Sequence, residues 1–227
     1  MSELALRPST LTFLHELSQN NNRAWFQENK GLFNEAKADF EAFVSGLILA
    51  FEAELGLEHT EAKACIYRIY KDVRFSKDGT PYKTEFGATI APEGKKTNQA
   101  ALHLYVKNDG EVYVDVGTCH MTPDDLRKVR AARDFDPFGL ESFLDSEDFR
   151  SVFGGKLIGD QLKSAPRGYA MDHKSIELLR FKNFSIRSTI EFEDLTSEEA
   201  ENHIRKIMTA AMPFRNYLNR ALEFSEK

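Results

Sequence analysis

Ala101-Leu102-His103-Leu104-Tyr105-Val106-Lys107-Asn108-Asp109-Gly110-Glu111-Val112-Tyr113-Val114-Asp115-Val116 is the stretch on which the fold turns. Two apolar/polar alternations flank Asn-Asp-Gly, which is the pattern of an antiparallel hairpin. A three-residue loop, with Gly110 in the left-handed position, sets Val106 opposite Val112, Leu104 opposite Val114 and Leu102 opposite Val116. A two-residue turn at Asp109-Gly110 would face Val106 with Tyr113 and split the apolar side, so the spacing selects the longer turn. The other side then pairs Lys107 with Glu111, Tyr105 with Tyr113 and His103 with Asp115. Such a polar, aromatic face reads either as a solvated sheet surface or as a binding platform.

Outward from the hairpin, Cys65 to Tyr70, Phe86 to Ala91 and Phe184 to Phe192 have strand character. Helical periodicity dominates both ends. Leu11, Leu14 and Leu17 mark a short helix. Trp25, Leu32, Phe33, Ala36, Phe40, Phe43, Val44, Leu47 and Phe51 then keep the 3.6-residue period of a long one, with a break expected near Gly31. Thr122-Pro123-Asp124-Asp125 is a helix start, short helices should surround Phe138 to Phe153, and Pro166-Arg167-Gly168 is a turn. Asp172 is expected to cap a helix through Leu179. Thr196-Ser197-Glu198-Glu199 has the form of a capping box opening a last helix that Pro213 kinks. The expectation is one α+β domain over residues 1–227, a mainly antiparallel sheet of five or six strands packed by a long N-terminal and a long C-terminal helix.

Composition narrows the class. The 227 residues carry 30 Lys and Arg against 36 Asp and Glu, net charge −6, so no basic field covers the whole protein and any anion site must be local. Eighteen Phe and one Trp assign much of the core to aromatic burial. Cys65 and Cys119 are the only cysteines and form no C-x-x-C, which argues against a disulfide scaffold or zinc ribbon and for a reducing compartment, hence a cytoplasmic location. The first residues lack a basic region leading into an apolar stretch, and no apolar run is long enough to span a bilayer.

Two segments depart from the acidic average. Lys63 to Lys83 holds six cations (Lys63, Arg68, Lys71, Arg74, Lys77, Lys83) against Asp72 and Asp78, a local charge of +4. Lys163 to Arg187 holds Lys163, Arg167, Lys174, Arg180, Lys182 and Arg187 against Asp172 and Glu177, again +4. The two islands suit a phosphate or carboxylate, with Arg as a bidentate donor and Lys as a point charge, or else salt bridges to acidic helices. The candidate ligand-binding residues are Arg68, Arg74, Lys77, Lys83, Arg167 and Lys182.

Asp72, Asp78 and His173 are candidates for acid/base work, although no triad order or metal-ligand spacing accompanies them. Glu61-Ala62-Lys63 matches the tail of a nuclease pattern without its aspartate. Gly94-Lys95-Lys96-Thr97 ends like a phosphate loop but lacks the upstream glycine spacing. Cys119 beside His120 on a strand would face the opposite side, so Cys119 reads as structural.

The segment Arg68-Ile69-Tyr70-Lys71-Asp72-Val73-Arg74-Phe75-Ser76-Lys77-Asp78-Gly79-Thr80-Pro81-Tyr82-Lys83-Thr84 resembles the signature of domain-of-unknown-function family 2461, found in bacteria and fungi. Asn21-Asn22-Arg23-Ala24-Trp25-Phe26 resembles that family's opening helix junction. Leu162 to Tyr169, with Asp172-His173 and Leu178-Leu179-Arg180, resembles its C-terminal block. The resemblance covers nearly the whole chain and implies a single-domain fold, with no activity attached.

Three functional readings follow. The first is a domain binding a small phosphorylated or carboxylated anion through the two islands, with an enzymatic version using Asp72 or Asp78 and His173. The second is a nucleic-acid-associated module or nuclease-like enzyme, with aromatic stacking and phosphate tracking. The third is a structural subunit whose long helix packs on a partner.

Overall fold

Lys107 ends one strand and Glu111 begins the next, and Gly110 between them has φ 90°. The three-residue turn is the observed one. Leu102, Leu104, Val106, Val112, Val114 and Val116 are all 0% exposed, so the apolar side of the hairpin faces the core as its parity requires.

The computed structural model describes residues 4–72, 74, 79–135 and 139–224. In chain order these form α1 (Pro8–Gln19), α2 (Arg23–Glu28), α3 (Lys30–Ala50), α4 (Glu52–Leu55), α5 (Ala62–Cys65), β1 (Glu85–Ile90), β2 (Ala101–Lys107), β3 (Glu111–Gly117), α6 (Pro123–Phe135), α7 (Leu140–Leu144), α8 (Glu147–Phe153), α9 (Ile176–Leu179), β4 (Ser185–Glu191) and α10 (Ala200–Leu222). Short 3-10 turns occupy Gly94–Lys96 and Phe192–Leu195. The class is α+β, with one antiparallel sheet in the order β1-β2-β3-β4.

Four strands, rather than five or six, form that sheet. Cys65 closes α5 instead of opening a strand, and the extended residues after it change partners too soon to build a ladder. Ile66 bridges Ala88 and Tyr67 N–H donates to the Gly87 carbonyl (2.8 Å), whereas Tyr70 bridges Tyr82 and Lys83 N–H donates to the Ile69 carbonyl (2.7 Å).

The polar side of the hairpin is also less wet than its residues suggest. Near the turn, Lys107 Nζ binds Glu111 Oε2 (2.6 Å) and Tyr113 donates to the same carboxylate (2.5 Å). Further along, His103 and Asp115 are buried, at 2% and 7% exposed, because each finds a polar partner that replaces water.

The helix ends follow local chemistry with three corrections. The long N-terminal helix breaks at Asn29, whose side chain donates to the Trp25 carbonyl (2.9 Å), and Gly31 lies inside α3. α9 begins after Ser175 rather than at Asp172, and no side chain caps it. Thr196 donates its hydroxyl back to the Glu193 carbonyl (2.9 Å), closing the preceding 3-10 turn instead of capping α10. At α6 the expected start is present: Thr122 Oγ1 accepts from Asp125 N–H (3.1 Å), and Asp125 Oδ2 accepts from Thr122 N–H (2.9 Å). α10 runs through Pro213.

The chain divides into two compact units. The first comprises Met1–Thr97, His103–Val114 and Thr189–Arg205; the second comprises Asn98–Leu102, Asp115–Ser188 and Lys206–Lys227. In the first, Phe40 and Phe13 stack on Phe86 (5.2 and 6.2 Å between centroids), and Phe26 stacks on Tyr82 at 4.0 Å. Each fully buried ring of this kind contributes about 1.5–3 kcal/mol through burial alone. In the second, Phe143 packs on both Phe149 (5.2 Å) and Phe214 (5.5 Å), and Phe181 packs on Phe184 (5.5 Å).

Candidate functional site

Within the first unit, α3, α5, the 3-10 turn Gly94–Lys96 and the extended residues 66–68 enclose a cleft of about 430 Å³. Lys37, Glu41, Lys63, Ile66, Tyr67, Arg68 and Lys95 line it: four cations against one carboxylate, around an apolar and aromatic floor. Glu41 and Lys63 stand 3.7 Å apart. Lys95 Nζ donates to the carbonyls of Lys63 (3.2 Å) and Ala64 (3.0 Å), satisfying oxygens at the end of α5. The side chains of Arg68 and Lys37 are exposed and form no hydrogen bond or close ion pair with a described residue.

Backbone packing brings Lys95 here. Gly94 has φ 55°, and a Cβ on it would lie 2.5 Å from the Ala64 carbonyl oxygen, so only glycine lets this turn approach α5.

The floor is held rigidly from below. Tyr67 shares a hydrogen bond with Thr89 Oγ1 (2.8 Å), which is also 2.8 Å from His103 Nδ1. The Tyr67 ring stacks on Tyr105, nearly parallel at 8°, and Lys83 Nζ sits 5.2 Å from its centroid. Lys83 thus supplies a fifth cation next to the cleft, in cation–π geometry. The hydroxyl of Tyr67 is spent on this anchor, so its ring, not its oxygen, is what the cleft presents.

The other sequence candidates fall elsewhere. Arg74 clasps Asp72 through Nε (2.9 Å) and Nη2 (2.7 Å), and that pairing holds the Asp72 carboxyl below the usual carboxylate range. Asp72 is therefore a charged acceptor with little basicity. Lys77 and Asp78 lie outside the described residues. Arg68, Arg74 and Lys83 belong to the first unit, and Arg167, His173 and Lys182 to the second. Arg167 is exposed in the turn closed by Tyr169 N–H to the Pro166 carbonyl (3.1 Å). His173 Nδ1 accepts from Ser175 N–H (3.1 Å), which occupies that nitrogen.

Much of the second island is committed to internal partners. Lys182 faces Asp160 (3.6 Å), and Arg180 donates to the Leu162 carbonyl (2.7 Å) and pairs with Glu177 (3.3 Å). Arg187 grips Asp115 through two hydrogen bonds of 2.7 and 2.6 Å.

The model of the family described as "Conserved hypothetical protein (DUF2461)" matches residues 9–217. The chain belongs to that family. Comparisons with curated proteins and with solved structures found no match.

The three segments that carry the DUF2461 resemblance are each tied down. Asn21 binds the backbone of Tyr82 in the signature segment, and Lys30 Nζ reaches the Tyr70 hydroxyl (3.1 Å) above the rings of Phe26 and Phe33. The third is a loop closed on itself, with Leu162 N–H donating to the Arg180 carbonyl (2.8 Å).

Lys37 and Lys95 are the cleft cations that lie outside both basic islands of the sequence, and Glu41, Ile66 and Tyr67 were likewise not among the candidates. Lys95 sits in the Gly-Lys-Lys-Thr turn, where the wrong spacing for a nucleotide loop hid a lysine placed by packing. Lys37 carries no local signal, being one of several charges on an amphipathic helix.

Both thiols are poor nucleophiles. Burial pushes Cys65 up, and burial with Asp115 nearby pushes Cys119 up to about 11. Among the described residues, no three His, Cys, Asp or Glu side chains converge as a metal-ligand set, and no helix is long and apolar enough to cross a membrane.

Proposed function

We propose that this DUF2461 protein binds a small phosphorylated or carboxylated anion in the cleft lined by Lys37, Lys63, Arg68 and Lys95. The observation that carries the reading is the charge imbalance: four cations converge on one carboxylate, and the side chains of two of the four, Lys37 and Arg68, make no hydrogen bond or close ion pair with a described residue. Like charges gathered in a concave site repel one another, and an anion relieves that repulsion while gaining charge-assisted hydrogen bonds. Ile66 and the Tyr67 ring offer apolar surface for the body of an organic anion. Lys63 and Arg68 come from the first basic island, and Lys37 and Lys95 from outside both islands.

A thermal melt tests it. The parent protein and Arg68→Gln are heated with nucleotides, sugar phosphates and organic carboxylates at fixed ionic strength. A binder at about a hundred times its Kd adds roughly 2.7 kcal/mol, a rise on the order of 5–10 °C for a chain of this size. Arg68→Gln should lose most of that rise while the ligand-free protein stays as stable as the parent. No specific rise in the parent, or an equal one in the variant, defeats the proposal.

A further inference from the structure

Arg215 sits in the second unit, on the last third of α10, and is 8% exposed. Its Nε is sealed from solvent with no hydrogen-bond partner, and its guanidinium makes no hydrogen bond or ion pair with any described residue. The helix explains the burial. Thr209, Pro213, Asn216 and Arg220 form the exposed stripe of α10, whereas Arg215 falls in the row of Met208, Ala211 and Leu222, which are 2%, 0% and 9% exposed. A long side chain on a helix leans toward the preceding turn, so Arg215 lies over the Met208–Ala211 side of this row. Its charge therefore rises from an otherwise apolar strip.

Other shielded guanidiniums in the chain are given oxygens. Arg187 holds Asp115, Arg133 binds Glu141, and Arg130 donates to the carbonyls of Leu179 (2.8 Å) and Phe181 (3.2 Å). Arg205, earlier on the same helix, pairs with Glu201 and Glu54. A guanidinium whose Nε is shut off from water is destabilising unless an acceptor meets it, and no described residue supplies one at Arg215. That burial also holds the guanidinium below its ordinary pKa.

We propose that Arg215 is the charge partner of an oxyanion, a carboxylate or phosphate group, bound by the second unit. The planar fork of a guanidinium matches two acceptor oxygens of either group, and an apolar surround strengthens that contact. This site is independent of the cleft around Arg68 and stands or falls separately.

The test reads Arg215 directly. In a protein labelled with ¹⁵N arginine, the Nε–H signal of Arg215 is assigned as the one lost in Arg215→Lys. Sodium acetate and inorganic phosphate are then titrated against sodium chloride at constant ionic strength. The expected result is a saturable displacement of that signal by acetate, phosphate or both, absent with chloride and unchanged in Arg68→Gln. Saturation by acetate alone names a carboxylate, and by phosphate alone a phosphate. In parallel, Arg215→Met should melt at or above the parent temperature without anion and should lose the part of the anion response that Arg68→Gln retains. A signal that fails to move, or that follows chloride equally, overturns the proposal. So does an Arg215→Met protein that responds to both anions as the parent does, which would leave Arg215 as a side chain burying its stem and hydrating its tip.

Discussion

The side chain of Asn21 takes both backbone groups of Tyr82: its Nδ2 donates to the Tyr82 carbonyl (2.9 Å), and its Oδ1 accepts from the Tyr82 N–H (3.1 Å). One amide thus imitates a strand partner and fixes the far end of the signature segment to the start of α2, where the neighbouring Asn22 caps the helix by accepting from Trp25 N–H (3.0 Å).

Replacing Asn21 with Leu, similar in size but unable to bond, removes both hydrogen bonds and leaves the two Tyr82 groups without them. The expected loss is about 1–3 kcal/mol, read as a lowered denaturant midpoint at unchanged slope. A midpoint equal to that of the parent would mean that the clasp contributes nothing.

Thr89 joins Tyr67 to His103 beneath the cleft. Thr89→Val keeps the shape and deletes the hydroxyl, removing the hydrogen bond that each neighbour makes to it. Destabilisation by about 1–3 kcal/mol is expected, together with weaker anion binding as the Tyr67 ring loosens. Chemical denaturation and the melt described for Arg68→Gln measure the two effects, and Thr89→Ser should restore both.

Asp115 is 7% exposed and owes its burial to the two hydrogen bonds from Arg187. Arg187→Met removes the partner and keeps the carboxylate inside, a loss on the order of 3–5 kcal/mol. Arg187→Met combined with Asp115→Asn should recover part of it, because no bare charge remains. A double variant no more stable than the single one would argue against the pair.

Cys119 carries a pH dependence whose sign is fixed by its environment. Its folded-state pKa of about 11 lies above the ordinary 9.0, so the native state holds the thiol proton more tightly than the unfolded chain. The associated stability is fully present below pH 9 and is lost as pH rises through about 11. In a Cys65→Ser background, iodoacetamide at pH 8.5 should alkylate native Cys119 roughly seventyfold more slowly than the urea-unfolded protein, since at that pH the two pKa values set thiolate fractions that differ by about that factor. Equal rates would show the thiol to be unshielded.

Local pattern was enough for much of the architecture. The parity of Leu102, Leu104 and Val106 against Val112, Val114 and Val116 determined the hairpin register, because a side-chain period of two leaves only one alignment that buries all six. The Thr122–Asp125 start and the periodic apolar face of α3 were equally legible, since capping and amphipathicity involve residues within a turn or two of each other. Tertiary structure decided the rest. The segment after Cys65 has strand composition, yet it divides its hydrogen bonds between Gly87 and the residues around Tyr82, a choice made by partners about twenty residues and more than ten residues away. His103 and Asp115 looked solvated by alternation and are buried because Thr89 and Arg187, distant in sequence, supply the bonds that water would otherwise make. The cleft shows the same division. Composition marked Arg68 and Lys63 as part of a basic island, but Lys37 and Lys95 joined them only when α3 and the turn at Gly94 packed against α5. Charge on a residue is a local property; convergence of charges is set by packing between elements far apart in the chain.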